Sequence, residues 1–506
     1  MGLLLCFGRL GDETRGKARC RGSLAIVDGP DPPIAAFSVA GRALAPDCKR
    51  WGLGCIGSCV TSVLLLLSVY APPLEARTWN VNVAGTGDAP TIQAAIDSAS
   101  AGDTVLLAPG TYLWSSQAAS PHSMVILKPG LTLRGEAGAG GTILDAERNG
   151  RVMLLYDVGE LVRIEGLTIQ TGEGRSALGP PLLDSFGGGM YIAGGSNPTI
   201  ANCIIRDNYV NTTQVGAGIY CESARIENCQ VLENFGNLDA RGIGIWSDST
   251  LVVRGTTFRG NWVNGDSGSY GAGLAARNAT IADCWIEGNQ TSGVFGAEAG
   301  GISIGDGVVE RCVFVGNEAF GGFGGARAAA LGAGSGVEIR DCIFVANRVV
   351  GNPAVGAALF LRGGATATRC TIVGNIAEGG GTPIAGVYFD ERTNEPTSVT
   401  SSLVAWNNGA VCNDGGIWSC NNIFGNTLGN AICGTDAGGN FSADPEFCAA
   451  DPVASMNFTL QADSPCAPGQ HPDGNACGQV GAAPVGCGAV SVQQATWSHV
   501  KGLYRE

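Results

Sequence analysis

Thr199-Ile-Ala-Asn-Cys-Ile-Ile-Arg-Asp-Asn208 is a ten-residue stretch that returns along much of the chain. It recurs as Arg225-Ile-Glu-Asn-Cys-Gln-Val-Leu-Glu-Asn234 and Thr280-Ile-Ala-Asp-Cys-Trp-Ile-Glu-Gly-Asn289, then over residues 308–317, 338–347 and 366–375. Residues 252–261 are a copy without cysteine. Counting the stretch from 1 to 10, position 2 is usually Ile or Val, position 5 Cys, position 7 Ile, Val or Phe, and position 10 Asn. The closing asparagines lie 26, 27, 28, 28, 30 and 28 residues apart. A period of that length marks a solenoid, in which each repeat buries its apolar face only against its neighbours.

Within the stretch, positions 5 and 7 are small or apolar, while 6 and 8 are mixed. This alternation predicts a strand with one buried face. Each copy is followed by a Gly-rich apolar element, such as Gly216-Ala-Gly-Ile-Tyr220, Gly271-Ala-Gly-Leu-Ala275, Gly300-Gly-Ile-Ser-Ile304 or Gly356-Ala-Ala-Leu-Phe360. Three short strands per period with Gly-marked bends, no helical pattern and no leucine-rich spacing fit an all-β right-handed parallel β-helix of about 10–12 coils. Equivalent residues then stack at about 4.8 Å. The cysteines from Cys203 to Cys370, with Thr256 among them, form one interior ladder. The series Ile205, Val231, Phe258, Ile286, Phe314, Phe344, Ile372 forms another. The closing asparagines form a third, at the turn, where Asn tolerates left-handed backbone and stacked amides bond along the axis.

Composition agrees. Gly is 80 of 506 residues without a collagen period, as tight corners require, and charged residues are only 15%. The net charge is −14. Residues 1–76 hold 8 basic and 6 acidic residues, leaving 22 basic and 38 acidic in the rest, where Lys128 and Lys501 are the only lysines. That balance argues against nucleic acid and strongly anionic polymers, and suits neutral glycans, cations or simple solubility.

Residues 1–48 are irregular. Lys49-Arg50, an apolar run from Trp51 to Ala71 and a small-residue end at Ala76 make residues 49–76 a secretory signal peptide, with a membrane anchor as the alternative. A signal this far along predicts a later translation start, near Val27 or Val39. Residues 77–120 form a cap and first strand: Thr91-Ile-Gln-Ala-Ala-Ile-Asp-Ser-Ala99 places Ile92, Ala95, Ile96 and Ala99 at helical spacing, before Thr104-Val-Leu-Leu107 and Ala108-Pro-Gly-Thr-Tyr112. An end coil needs such a cover. Residues 121–447 are the β-helix and 448–506 a Cys-rich C-terminal cap and tail, in which residues 497–504 make a short amphipathic docking segment.

The cap, the repeats and the closing Asp444-Pro-Glu-Phe447, Phe458-Thr-Leu-Gln461 and Asp463-Ser-Pro465 together resemble the right-handed parallel β-helix repeat proteins of the pectin-lyase-like superfamily, secreted by bacteria, over residues 77–490. The resemblance implies fold but not function, because this fold hosts lyases, hydrolases, epimerases and adhesins.

Nineteen cysteines are present, five before the expected cleavage. The ladder cysteines read as small buried hydrophobes, since side chains stacked on parallel strands do not converge as a disulfide requires. Cys412, Cys420, Cys433, Cys448, Cys466, Cys477 and Cys487 lie in Gly/Pro/Asp-rich sequence and read as staples. Seven is odd, so one stays free or pairs with Cys221.

For chemistry, a hydrolase needs two carboxylates about 5–9 Å apart, and a lyase of the resembled fold needs a base and usually Ca²⁺. In a β-helix these sit at outward positions 6 and 8. There only Arg259, Glu287 and Trp285 cluster, and Arg259 with Glu287 is the weak catalytic candidate beside the plainer reading of a surface ion pair. The polygalacturonase-like motifs of the resembled fold are missing, and His122, His471 and His499 lie outside the repeats. Asp306 and Asp390-Glu391 read as turn caps or solvated charges, so no metal site or cofactor is assigned and Ca²⁺ has no support. Aromatics follow the turn asparagines: Tyr209, Phe235, Trp262, Phe295, Phe320 and Phe323. Tyr209, Phe235, Trp262, Trp285 and Phe320 are the carbohydrate-binding candidates; the plainer reading has the loop aromatics packing over the outward apolar patch Val313, Val315, Ile343 and Val345. The expected role is a secreted or cell-surface protein with a non-enzymatic binding or structural function, carbohydrate being the candidate ligand. The alternative is a polysaccharide lyase or glycoside hydrolase.

Overall fold

The computed structural model describes residues 76–487, apart from 175–185, 212–214, 238–239, 266–267, 391, 393–394 and 475. The signal segment, the start-site expectation and the 497–504 segment lie outside the described residues. The chain winds as a parallel β-helix of about eleven coils bounded by three sheets, of 26, 12 and 8 strands.

The ten-residue repeat spans two corners of each coil. In one copy Thr199–Ala201 joins the first sheet, Ile204–Arg206 the second, and Tyr209–Val210 after the asparagine the third. Position 4 turns the first corner with left-handed backbone in every copy, φ running from 50° at Arg369 to 58° at Gly255. Position 9 turns the second, from 53° at Glu233 and Ala346 to 65° at Gly374. The left-handed residue therefore precedes the asparagine rather than being it. The reason is the amide: each of the seven closing asparagines, Asn208 to Asn375, is fully buried and aims its side chain along the axis.

Asn208 Nδ2 donates to Asn234 Oδ1 (3.0 Å), and the same bond repeats from Asn234 to Asn261, Asn289, Asn317, Asn347 and Asn375. Each backbone N–H also donates to the next Oδ1, and each Nδ2 reaches a position-7 carbonyl one coil back, as Asn317 does to Ile286 (2.9 Å). The ladder continues through Asn407 and Asn426, two rungs hidden in the sequence by spacings of 32 and 19 residues.

Position 7 is fully buried in all seven copies, and the ladder cysteines are buried and free. The thiols are also a hydrogen-bonded turn. Cys203 Sγ donates to Ala201 O (3.2 Å) while its backbone N–H donates to Cys229 Sγ (3.4 Å). Thr256 and Ser402 supply hydroxyls at the same place. Burial pushes the thiols of Cys284 and Cys312 far up and that of Cys370 up to about 12, so these sulfurs stay protonated and unreactive.

The helix Ile92–Ser98 closes the N-terminal end with Ile92, Ala95 and Ile96 buried, and Thr91 Oγ1 caps it by accepting from Ala94 N (3.1 Å). At the other end three disulfides form, Cys412–Cys433, Cys420–Cys477 and Cys448–Cys487. Cys466 and Cys221 are the unpaired cysteines outside the ladder, among the described residues.

The C-terminal segment corrects one expectation. Phe447, Phe458, Leu460, Val480 and Ala483 pack over the outward apolar patch of the second sheet, burying Val313, Ile343, Val345, Val373, Leu403 and Ala405. Gly481 N donates to Ser401 O (2.8 Å) and Ala482 N to Thr371 Oγ1 (3.0 Å). The patch is covered by the chain's own end, and the loop aromatics are not what covers it.

Candidate functional site

Arg259 and Glu287 are register partners on neighbouring strands of the second sheet, beside Trp285. Trp285 Nε1 donates to Glu287 Oε2 (3.1 Å), so that carboxylate is engaged by the indole two residues before it.

Tyr209, Phe235 and Trp262 occupy one register row of the third sheet. Tyr209 stacks on Phe235 (centroids 5.2 Å apart), and Phe235 meets Trp262 at a tilt (4.1 Å). Stacking along the axis consumes ring faces and leaves edges outward, and Trp262 (41% exposed) ends the row beside Gln290. Phe320 stands two coils further on in another row, where the Arg348 guanidinium lies 5.6 Å from its ring. Trp285 is on a different sheet. The five aromatic candidates thus form no single platform. Phe295 and Phe323 are 64% and 88% exposed on neighbouring loop tips.

A site that the repeat analysis missed lies on the outer face of the first sheet, carried by the Gly-rich second element. Along it the inward residues Ile219, Ile245, Leu274, Ile302, Leu331, Leu359 and Val387 are buried, so their neighbours point outward. Read coil by coil, the outward row is Tyr191, Tyr220, Trp246, Ala275, Ser303, Gly332, Phe360, Tyr388. Tyr191 stacks on Tyr220 (4.9 Å) and Phe360 on Tyr388 (5.0 Å). Three small residues interrupt this aromatic ladder. From Trp246 to Phe360 is four coil steps, or about 19 Å at about 4.8 Å each. The result is a notch with Trp246 at one end and, at the other, Phe360, which is buried with the Arg327 and Arg362 guanidiniums beside its ring.

Its sides carry charge. One flanking row runs Arg241, Tyr270, Glu298, Arg327. The other side holds Asp248 and Arg277, with Arg362 and Asp390 further along. A hollow of about 280 Å³ is lined by Arg241, Trp246, Tyr270, Ala275, Arg277 and Ser303. A smaller one of about 100 Å³ continues beside Tyr270, Phe295, Glu298 and Arg327. The guanidinium of Arg241 lies 5.0 Å from the Tyr270 ring, and those of Arg362 and Arg327 lie 5.0 and 5.9 Å from the Phe360 ring, within cation–π reach.

Asp390 corrects another expectation. It is not solvated: it is buried and bonded to Arg392 (2.8 Å), with Arg362 at 3.9 Å. Asp306 is exposed and caps its own turn by accepting from Gly307 N (2.7 Å). Among the described residues no group of three or more His, Cys, Asp or Glu is placed to hold a metal ion.

A further hollow of about 600 Å³ lies beside the Cys412–Cys433 disulfide, lined by Glu395, Thr397, Asp414, Thr435 and glycine backbone. It has no aromatic wall. Among the described residues no helix is long and apolar enough to cross a membrane.

A family model described as right handed beta helix region matches residues 162–263. No curated protein matches the chain. Two solved structures are similar in coil architecture. Pectate lyase Pel9A is 12% identical with a TM-score of 0.41, covering 81% of this chain and 96% of its own. The catalytic unit of the thermostable GH87 alpha-1,3-glucanase from Streptomyces thermodiastaticus strain HF3-3 is 15% identical with a TM-score of 0.33, covering 74% and 70%. Likeness at that level concerns fold alone. The chain folds as a parallel β-helix, and its residues 162–263 match the right-handed β-helix model.

Proposed function

We propose that this chain is an extracellular carbohydrate-binding β-helix protein whose binding site is the notch over Ala275, Ser303 and Gly332. The observation that carries the reading is the interrupted aromatic ladder. Sugar rings present flat C–H faces that pack on aromatic faces, and their hydroxyls pair with charged and polar groups. Trp246 at one end of the gap and Tyr270 at its side (37% exposed) are the rings that line the hollow, and arginines and carboxylates line both sides. The hollow of about 280 Å³ beside Trp246, Tyr270, Ala275 and Ser303 gives room for a short saccharide. Disulfides at the C-terminal end support an oxidising compartment, in keeping with a secreted or cell-surface place and the signal segment read in residues 49–76.

The exposed Trp262 supports a second, weaker contact surface on the third sheet. An enzymatic reading competes, as lyase or hydrolase, because Glu298 and Asp390 both lie at the notch. The test is an oligosaccharide binding screen of the purified protein together with Trp246→Ala, run beside an assay for reducing-end and unsaturated-product release. Binding lost in Trp246→Ala, without turnover, supports the reading. Binding unaffected by Trp246→Ala refutes the notch, and turnover abolished by Glu298→Gln replaces binding with catalysis.

A further inference from the structure

Resting on the glycan-binding reading of the notch, we propose that Glu298 is its specificity-determining residue and restricts it to neutral sugars. Glu298 belongs to the flanking row but crosses the floor. Its carboxylate bonds Arg362 at 2.8 Å, 64 residues further along. A Cβ placed on Gly332 would meet Glu298 Oε1 at 3.4 Å, so the carboxylate lies over the floor itself. The Glu298 side chain is only 9% exposed. An ionised group this buried is stable only with its counterion in place.

Two further sets of charges beside the notch are paired as well. Arg277 pairs with Asp248 (3.4 Å), and Asp248 also accepts from Tyr220 Oη (2.7 Å). Arg362 faces Asp390 on its far side, and Arg392 holds that same carboxylate. Arg241 and Arg327 lie against the Tyr270 and Phe360 rings at the rim. A sugar carboxylate approaching Arg362 meets the like charge of Glu298. To win Arg362 it must leave Glu298 buried without a partner, which is costly. A neutral sugar keeps the pair intact: its hydroxyls donate to the Glu298 carboxylate and accept from Arg362. The carboxylate built into the floor takes the place on Arg362 that a uronate would need.

The test is calorimetric titration of the whole protein at pH 7 with neutral hexose tetrasaccharides and with hexuronate tetrasaccharides of matching linkage. Wild type should bind the neutral class at least about tenfold more tightly, the scale of one charge-assisted hydrogen bond. In Glu298→Gln the ratio of hexuronate to neutral affinity should rise about tenfold. A wild-type preference for hexuronates overturns the proposal, and so does an unchanged affinity ratio in Glu298→Gln. The wild-type ratio needs no variant and decides the matter if Glu298→Gln fails to fold. Binding of neither class to wild type overturns the glycan reading itself, which separates the two failures.

Discussion

Asn317→Ala is the sharpest perturbation of the coil. The Asn317 side chain is fully buried near the middle of the ladder. Its Oδ1 accepts from both the backbone N–H (3.1 Å) and Nδ2 (2.9 Å) of Asn289. Its Nδ2 donates to Ile286 O (2.9 Å) and Asn347 Oδ1 (3.0 Å). Alanine removes four hydrogen bonds and leaves two donors on Asn289 without their acceptor, inside the solenoid. Stranded buried donors cost about 1–3 kcal/mol each, and the vacated volume adds to that, so the expected loss is about 4 kcal/mol. Asn278 is exposed on the first sheet, and Asn278→Ala should stay within about 0.5 kcal/mol. Urea unfolding followed by tryptophan fluorescence compares the two, with hydrogen exchange at the Asn289 amide as a local readout. A loss below about 1 kcal/mol for Asn317→Ala, or an Asn289 amide as protected as before, refutes the ladder as a source of stability.

Other outcomes follow from the same geometry. The ladder thiols should resist a water-soluble thiol reagent in the native protein and react only on unfolding, counted by absorbance. Because burial raises the folded value for Cys370 from 9.0 to about 12, its contribution is fully present below pH 9 and lost as pH rises towards 12; urea midpoints at pH 8 and pH 10.5 should fall accordingly. Cys342→Ser, which keeps the turn hydrogen bond as Ser402 does, should cost less than Cys342→Ala by a measurable shift in midpoint. Asp103 accepts from the backbone N–H of Ser100 and Arg77 and from Trp79 Nε1, which holds its carboxyl below the usual 3.8. Its support of the cap is thus present above about pH 4 and lost as pH falls through the lowered value, and Trp79 emission should report that loss in wild type but not in Asp103→Asn.

The fold was legible because its signal repeats. Position 7, the cysteines and the asparagines recur at nearly constant spacing, and a one-dimensional repeat turns that spacing directly into neighbours in space. The corners were less legible. Left-handed backbone at Arg311, Arg369 and Glu233 has no residue preference to reveal it, since tertiary context imposes it there. The covering of the second sheet by Phe447, Phe458 and Leu460 is a contact distant in sequence, and no periodicity encodes it. The notch was legible in principle. Tyr220, Ala275 and Phe360 stand at one register position of the Gly-rich element, and aligning that element as strictly as the cysteine repeat brings out the missing aromatics. What defeated the reading was register: the interruption is a run of small residues, visible only once each coil is placed on the next.

The most direct measurement fills the gap. Ser303→Phe restores an aromatic at the centre of the notch, between Ala275 and Gly332, and points it into the hollow that Ser303 lines. Oligosaccharide affinity is then measured by titration for wild type, Ser303→Phe and Trp262→Ala. The notch predicts that Ser303→Phe abolishes binding while the protein stays folded, and that Trp262→Ala binds as wild type does. Retained binding in Ser303→Phe with loss in Trp262→Ala would contradict it and move the site to the third sheet.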